Sequence, residues 1–324
     1  MPRHLIALIL ALLLAGCVTE SRAPGPAVAA AVSAETFVMP DGARLPYRTW
    51  LPDGAPWAVV LALHGMDDSR DAWEYPAPDL AAAGIAVFAP DLRGFGDTAS
   101  RGLWPGRLGL VDDTRTMARL LRARFPRAKL FLMGESMGAA ALMILGSEPN
   151  APDVDGYVLI APAVWARSEM NPFLRVGLWL FANIAPGMTV TGQGFVKVTA
   201  SDNRPALVRL STDPLTIHAT RWDAIRGLVN LMDDALAAAP RFGRKALFLY
   251  GGHDELIPAK ATAATWRALP PGPARAFYPA DYHLMLRDRE RAVPIGDIIA
   301  WMRGDESLPS GADRRAADWL AAQP

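Results

Sequence analysis

Residues 130–141 read Leu-Phe-Leu-Met-Gly-Glu-Ser-Met-Gly-Ala-Ala-Ala, an apolar run that stops at a glycine and restarts as a small-residue, helix-prone run. A single serine sits at the joint. A strand that turns sharply into a helix forces the residue at the turn into a strained conformation. Residues two positions to either side must then lack bulk, because strand and helix come very close. Gly134 and Gly138 meet that need. The pattern predicts that Ser136 stands clear at the carboxyl edge of a sheet, next to a helix N-terminus.

The sequence around this joint repeats the same rhythm. Thr36 to Met39 and Arg44 to Leu51 flank Asp41-Gly42, a hairpin signal. Trp57 to Leu63 is continuously apolar, as expected of a strand in a parallel sheet covered on both faces. A helix is expected around Asp71 to Ala83, a second buried strand at Ile85 to Ala89 and a second helix over Leu108 to Phe125. Lys129 to Met133, a helix from Ser136 and a strand at Tyr157 to Ile160 continue the alternation. Repeated β-α units predict an α/β fold with a doubly wound, mostly parallel sheet.

Composition narrows the function classes. The chain has 324 residues, 51% of them hydrophobic, with 33 basic and 33 acidic side chains. That length suits one large α/β domain with an insertion, or two domains. A formal charge of zero gives no reason to expect a nucleic-acid partner. Arg115, Arg119, Arg122, Arg124 and Arg127 cluster, at a spacing that suits the wet face of a helix.

The N-terminus stands apart. A basic start, Met1 to His4, precedes an unbroken apolar stretch from Leu5 to Ala15. It is shorter than the roughly 20 residues a bilayer span needs and fits the apolar region of a secretory signal. Leu14-Ala15-Gly16-Cys17 resembles the lipobox of bacterial lipoproteins, which implies cleavage before Cys17 and lipidation of that cysteine. Cys17 is the only cysteine, so no internal disulfide is possible despite export. By analogy with lipoprotein sorting, Val18 at the following position favours the outer membrane. The expected location is the bacterial cell envelope, lipid-anchored and facing the periplasm. Residues 1–16 are then a signal peptide, and the Ala/Pro/Gly/Ser-rich stretch 17–34 a tether.

A serine nucleophile needs a base and an acid that orients it. Of five histidines, His4 leaves with the signal and His64, followed by Gly65, is better placed to shape a loop. His218 falls in the insertion discussed below, and His253 sits beside Asp254. His283, late in the chain after the apolar segment Ala274 to Tyr278, is the candidate base. Asp254, after the apolar run Ala246 to Tyr250 and two glycines, is the candidate acid at the sheet's carboxyl edge. Asp281 and Glu255 are its rivals.

Ser136, Asp254 and His283 follow the chain order of α/β-hydrolases. Residues 36–304 resemble that superfamily, and within it the monoacylglycerol lipase and lysophospholipase-like branch. The resemblance rests on Leu63-His64-Gly65-Met66, Asp91-Leu92-Arg93-Gly94-Phe95-Gly96, Gly134-Glu135-Ser136-Met137-Gly138, Gly251-Gly252-His253-Asp254 with Pro258, and Tyr282-His283. It implies that the backbone N–H groups of Met66 and Met137 receive the oxyanion of a tetrahedral intermediate. It also implies an α/β-hydrolase core over 35–162 and 241–304, with a helical cap inserted at 163–240.

About 85 residues between Ile160 and Ala246 lack the sheet rhythm, far more than a plain connection needs. Asn171-Pro172 opens a helical stretch through Ile184 that carries Phe173, Trp179 and Phe181. Arg175 and Gly177 argue against a membrane span there. Ser211-Thr212-Asp213-Pro214 reads as a helix start, with helices on to Ala239. Most apolar cap residues pack onto the core; Trp179 and Phe181 are expected to line an acyl tunnel. Residues 305–324 form a C-terminal extension, with Trp319 placed to dock on the core.

These readings converge on hydrolysis of a carboxylic ester of a lipid-like substrate, such as a monoacylglycerol or lysophospholipid, with no metal or organic cofactor. Acyl transfer to an acceptor other than water and a non-catalytic acyl-chain-binding lipoprotein are the alternatives. Dehalogenase or epoxide hydrolase chemistry would need an aspartate where Ser136 stands.

Overall fold

A computed structural model describes residues 27–191 and 198–323. The signal sequence, Cys17 and most of the tether lie outside the described residues. The chain enters through β1 (Ala31–Val32), β2 (Thr36–Val38) and β3 (Arg44–Trp50), an antiparallel meander whose β2–β3 turn holds Asp41-Gly42. The stretch 17–34, read as tether, therefore reaches into the sheet at its end. Ser33 closes the tight turn that makes this pairing possible, its hydroxyl accepting the Thr36 N–H at 3.0 Å.

From there β4 (Ala58–Leu63), β5 (Ile85–Pro90), β6 (Lys129–Glu135) and β7 (Gly156–Ile160) alternate with helices α1 (Pro76–Ala82), α2 (Gly106–Arg124) and α3 (Met137–Ser147). A cap follows, made of α4 (Pro172–Ile184), β8 (Thr189–Val190), α5 (Arg204–Thr212), β9 (Thr220–Arg221) and α6 (Trp222–Ala238). The core resumes with β10 (Ala246–Gly251), α7 (Ala259–Ala268), β11 (Ala274–Tyr278), α8 (Ala292–Arg303) and α9 (Ala312–Ala322). Among the described residues, nine strands form one sheet in the order β1-β2-β3-β5-β4-β6-β7-β10-β11, parallel from β5 to β11. Strands β8 and β9 pair separately in the cap.

The apolar runs have a simple cause. In β4, Val59, Leu61 and Leu63 enter the hydrophobic cluster on one face of the sheet, and Ala58, Val60 and Ala62 enter the cluster on the other. Both faces of a central parallel strand are covered, so no polar alternation survives. The arginine cluster is less uniform than a wet face. Arg119, Arg124 and Arg127 are exposed, whereas Arg115 is buried and pairs with Asp112 and Glu148.

Two expectations about the ends of elements change. Ser211-Thr212-Asp213-Pro214 ends helix α5 rather than starting one. The hydroxyls of Ser211 and Thr212 donate back to the Val208 carbonyl, and Asp213, extended as a residue before proline tends to be, accepts from Leu215 N–H. The start signal lies upstream at Asn203-Arg204-Pro205, where Asn203 accepts from Ala206 N–H. The C-terminal residues also acquire a place. Trp319 on α9 stacks on Phe277 at 5.0 Å between centroids and meets Trp266 at 5.1 Å and Tyr250 at 5.2 Å, covering the edge strand β11.

Candidate active site

Ser136 occupies the joint between β6 and α3 with φ 53° and ψ −111°, a strained backbone for a residue with a side chain. Neighbouring segments hold it there. Its N–H donates to the Ile160 carbonyl at 2.9 Å and its carbonyl accepts from Ala163 N–H at 3.0 Å. The flanking glycines are required by contact distances. A methyl group on Gly138 would stand 2.5 Å from the Leu63 carbonyl oxygen, and one on Gly134 would stand 2.7 Å from Ala139 N.

At the same edge, His283 Nδ1 lies 2.8 Å from Asp254 Oδ2, and the Asp254 side chain is fully buried. The other Asp254 oxygen accepts the N–H groups of Leu256 and Ile257, both at 2.8 Å. Among the described residues, two amides and one imidazole thus hold the carboxylate without a cationic side chain. Burial alone would lower the His283 pKa, but the Asp254 charge and hydrogen bond, with help from Glu135, raise it above its ordinary value of 6.5. The rival carboxylates lie elsewhere. Glu255 accepts from Thr199 N–H at 2.7 Å. Asp281 is pushed up to about 7 by burial and by Asp288, Asp202 and Glu290.

The remaining histidines among the described residues have other partners. His64 is fully buried; its Nε2 accepts the Leu92 N–H at 3.0 Å, which leaves the proton on Nδ1 for the Gly65 carbonyl at 2.7 Å. The His253 ring packs against Tyr282, and His218 contacts the Asp213 carbonyl.

Ser136 and His283 open into one cavity of about 530 Å³ between core and cap. Met66 lines its wall, and Met137 opens α3, where the first N–H groups of a helix have no intrahelical acceptor. Trp165, Met170, Leu210, Leu228, Val229 and Met232 form the apolar part. Trp179 and Phe181 are not brought there. They are 55% and 41% exposed, and Phe181 stacks outward on Trp222 at 4.9 Å. Their helix α4 is apolar around much of its girth, and its inward contacts go to α6 rather than to the cavity.

The polar end of the cavity carries groups the sequence reading missed. Asp67, Asp68 and Glu135 line it, and buried Arg287 donates to both Asp68 and Glu135, the latter at 3.0 Å. Burial raises the Glu135 pKa, and its charge is balanced by Arg287. Asp67 is pushed up to about 6 by burial. Glu135, an acidic residue directly after the apolar run 130–134, is the sequence signal of this cluster.

The sheet order, the serine on its strained joint and the cap inserted after β7 define the α/β-hydrolase fold. A solved structure of a soluble variant of monoglyceride lipase from Saccharomyces cerevisiae in complex with a substrate analog shares it, with a TM-score of 0.71 at 17% identity over 87% of this chain and 98% of that one. The chain belongs to the serine aminopeptidase S33 family (Hydrolase_4), whose model matches residues 54–290. Among relatives, it is 26% identical to a monoacylglycerol lipase from Mycolicibacterium smegmatis over 83% of this chain and 96% of the relative. It is also 26% identical to the monoglyceride lipase of Rattus norvegicus, over 78% and 84% of the two chains.

Replacing Arg287 by leucine leaves Asp68 and Glu135 as uncompensated buried charges beneath Ser136. The variant is expected to lose about 3–5 kcal/mol of stability in urea denaturation at neutral pH. An unchanged midpoint would mean that water or another cation already neutralises the pair.

Proposed function

We propose that this chain is a serine hydrolase that cleaves carboxylic esters of lipid-like substrates through an acyl-enzyme. The observation that carries the reading is a strained serine opening, together with a carboxylate-bound histidine, into a largely apolar cavity. Monoacylglycerol is the favoured substrate, because the relatives from M. smegmatis and rat are named for that ester.

The chemistry follows from the contacts. With Nδ1–H committed to Asp254, the Nε2 atom of His283 is the free base. It takes the Ser136 proton as Oγ attacks the ester carbonyl. The oxyanion is received by the N–H groups of Met66 and Met137, where the N-terminus of α3 adds its positive end. The imidazolium then protonates the departing alcohol. Water, activated by the same nitrogen, attacks the acyl-enzyme and releases the fatty acid. Asp254 keeps the imidazole in one tautomer and offsets its transient charge.

The apolar wall supplies chain-length preference. Each buried methylene contributes at most about 0.8 kcal/mol, and that gain reaches the rate only if the chain is held while the carbonyl meets Ser136. An aminopeptidase reading, suggested by the family description, draws on the acidic end of the cavity, where an α-ammonium would be welcome. The apolar walls favour the ester.

We also read the chain as an envelope lipoprotein. The lipobox-like Leu14-Ala15-Gly16-Cys17 supports an anchor. The apolar outer face of α4, with Phe173 86% exposed, supports a second contact with lipid. No helix among the described residues is long and apolar enough to cross a membrane.

On a panel of p-nitrophenyl esters and amino acid p-nitroanilides, kcat/KM is expected to rise from acetate to dodecanoate and to be small for the anilides. Ser136→Ala should abolish ester turnover while leaving the thermal midpoint nearly unchanged. Faster anilide cleavage would move the assignment to peptides, and wild-type turnover in the alanine variant would remove it. Because the His283 pKa is raised, the acid limb of kcat/KM should lie above pH 6.5, with activity lost as pH falls and the imidazole protonates. Asp254→Asn, which removes the main cause of that rise, should lower kcat on the order of 10⁴-fold. A wild-type limb at or below pH 6.5 would contradict the assigned base. Cys17→Ser should abolish metabolic labelling by palmitate; an unaltered protein recovered from the periplasm without lipid would refute the anchor.

A further inference from the structure

Among the described residues, three that are not glycine have positive φ: Asp67 at 61°, Ser136 at 53° and Ala161 at 42°. They follow the carboxyl ends of β4, β6 and β7, adjacent strands of the sheet. Such strain persists only where the surroundings over-determine it. For Ser136 the reason is the joint itself, and Ala161 is tied to β10 through the Leu249 carbonyl at 2.9 Å. Asp67 has a different set of ties, and both run into the cap. Its carbonyl accepts the Ile217 N–H at 2.8 Å, and its carboxylate accepts the Thr220 hydroxyl.

We propose that Asp67 is a positioning residue that clamps the loop after β4 to the cap and thereby fixes the direction of the Met66 N–H. The inference rests on the reading of Met66 as an oxyanion donor. The Met66 N–H and the Gly65 carbonyl belong to one peptide plane and point in opposite directions. His64 pins the carbonyl side of that plane from below. Asp67 pins the next residue from above, on partners about 150 positions later in the chain. With both ends held, the amide between them keeps its aim without spending binding energy on reorganisation during the reaction. Aspartate suits the position, since it tolerates a left-handed backbone and brings the acceptor that Thr220 needs.

Thr220 lies in the cap, so removing its hydroxyl loosens the clamp without touching the reacting atoms. Thr220→Val should lower kcat for p-nitrophenyl butyrate roughly 10-fold, less than the 10²–10³-fold expected for losing an oxyanion donor outright. KM should stay near the wild-type value. Affinity for a trifluoromethyl ketone, whose adduct carries the same oxyanion, should fall by the same factor as kcat. Thr220→Ser should restore both. Asp67→Gly, which keeps the backbone conformation and deletes the carboxylate, should reproduce the valine phenotype and carries the test if Thr220→Val does not fold. Wild-type kcat and inhibitor affinity in these variants would overturn the clamp, as would a loss confined to KM or a loss that serine fails to rescue. Failure of the serine-hydrolase reading, on which the role of Met66 depends, is recognised separately, by wild-type turnover in Ser136→Ala.

Discussion

The approach of helix α3 to strand β4 is the constraint on which the site depends. No side-chain atom fits between Gly138 and the carbonyl oxygens of Leu63 and His64, at 2.5 and 2.8 Å from where a methyl carbon would stand. That closeness sets the serine's joint directly beside the loop that starts at His64. The proposed nucleophile and its two candidate amide donors are therefore placed by backbone packing.

Charge is managed around this contact by two different means. Asp254 is held by the Leu256 and Ile257 amides and by His283, so its negative charge is free to act on the imidazole. Glu135 and Asp68 share Arg287 at the polar end of the cavity; burial raises the Glu135 pKa and the guanidinium works against that rise. Glu135 in turn adds to the upward shift of the His283 pKa, after the larger effect of Asp254. The proposed base is thus tuned by Asp254 after β10 and by Glu135 at the end of β6.

Much of the fold was legible because parallel strands buried on both faces have little choice of composition. Continuous apolar runs at 58–63, 85–90 and 130–134 mark the sheet, and glycine spacing marks the joint. Choosing the acid was harder, since Asp254, Glu255 and Asp281 are near in sequence to the base or to one another. The two amides that cradle Asp254 belong to a loop whose shape no local pattern encodes. The cap misled for a related reason. Phe173, Trp179 and Phe181 sit on a helix whose hydrophobicity says that it avoids water, without saying which neighbour covers it. The residues that do line the cavity, Leu228, Val229 and Met232, read as an ordinary amphipathic helix. Asp67 gave no sign of its left-handed backbone, because its partners lie in the cap.

Reaction with a fluorophosphonate tests the central claim most directly, since phosphonylation requires an activated serine in an open site. Intact-mass analysis after exposure of the protein should reveal one adduct, and peptide mapping should assign it to Ser136, with ester turnover lost in proportion. An enzyme that continues to hydrolyse esters without an adduct, or with one on another residue, would contradict the account.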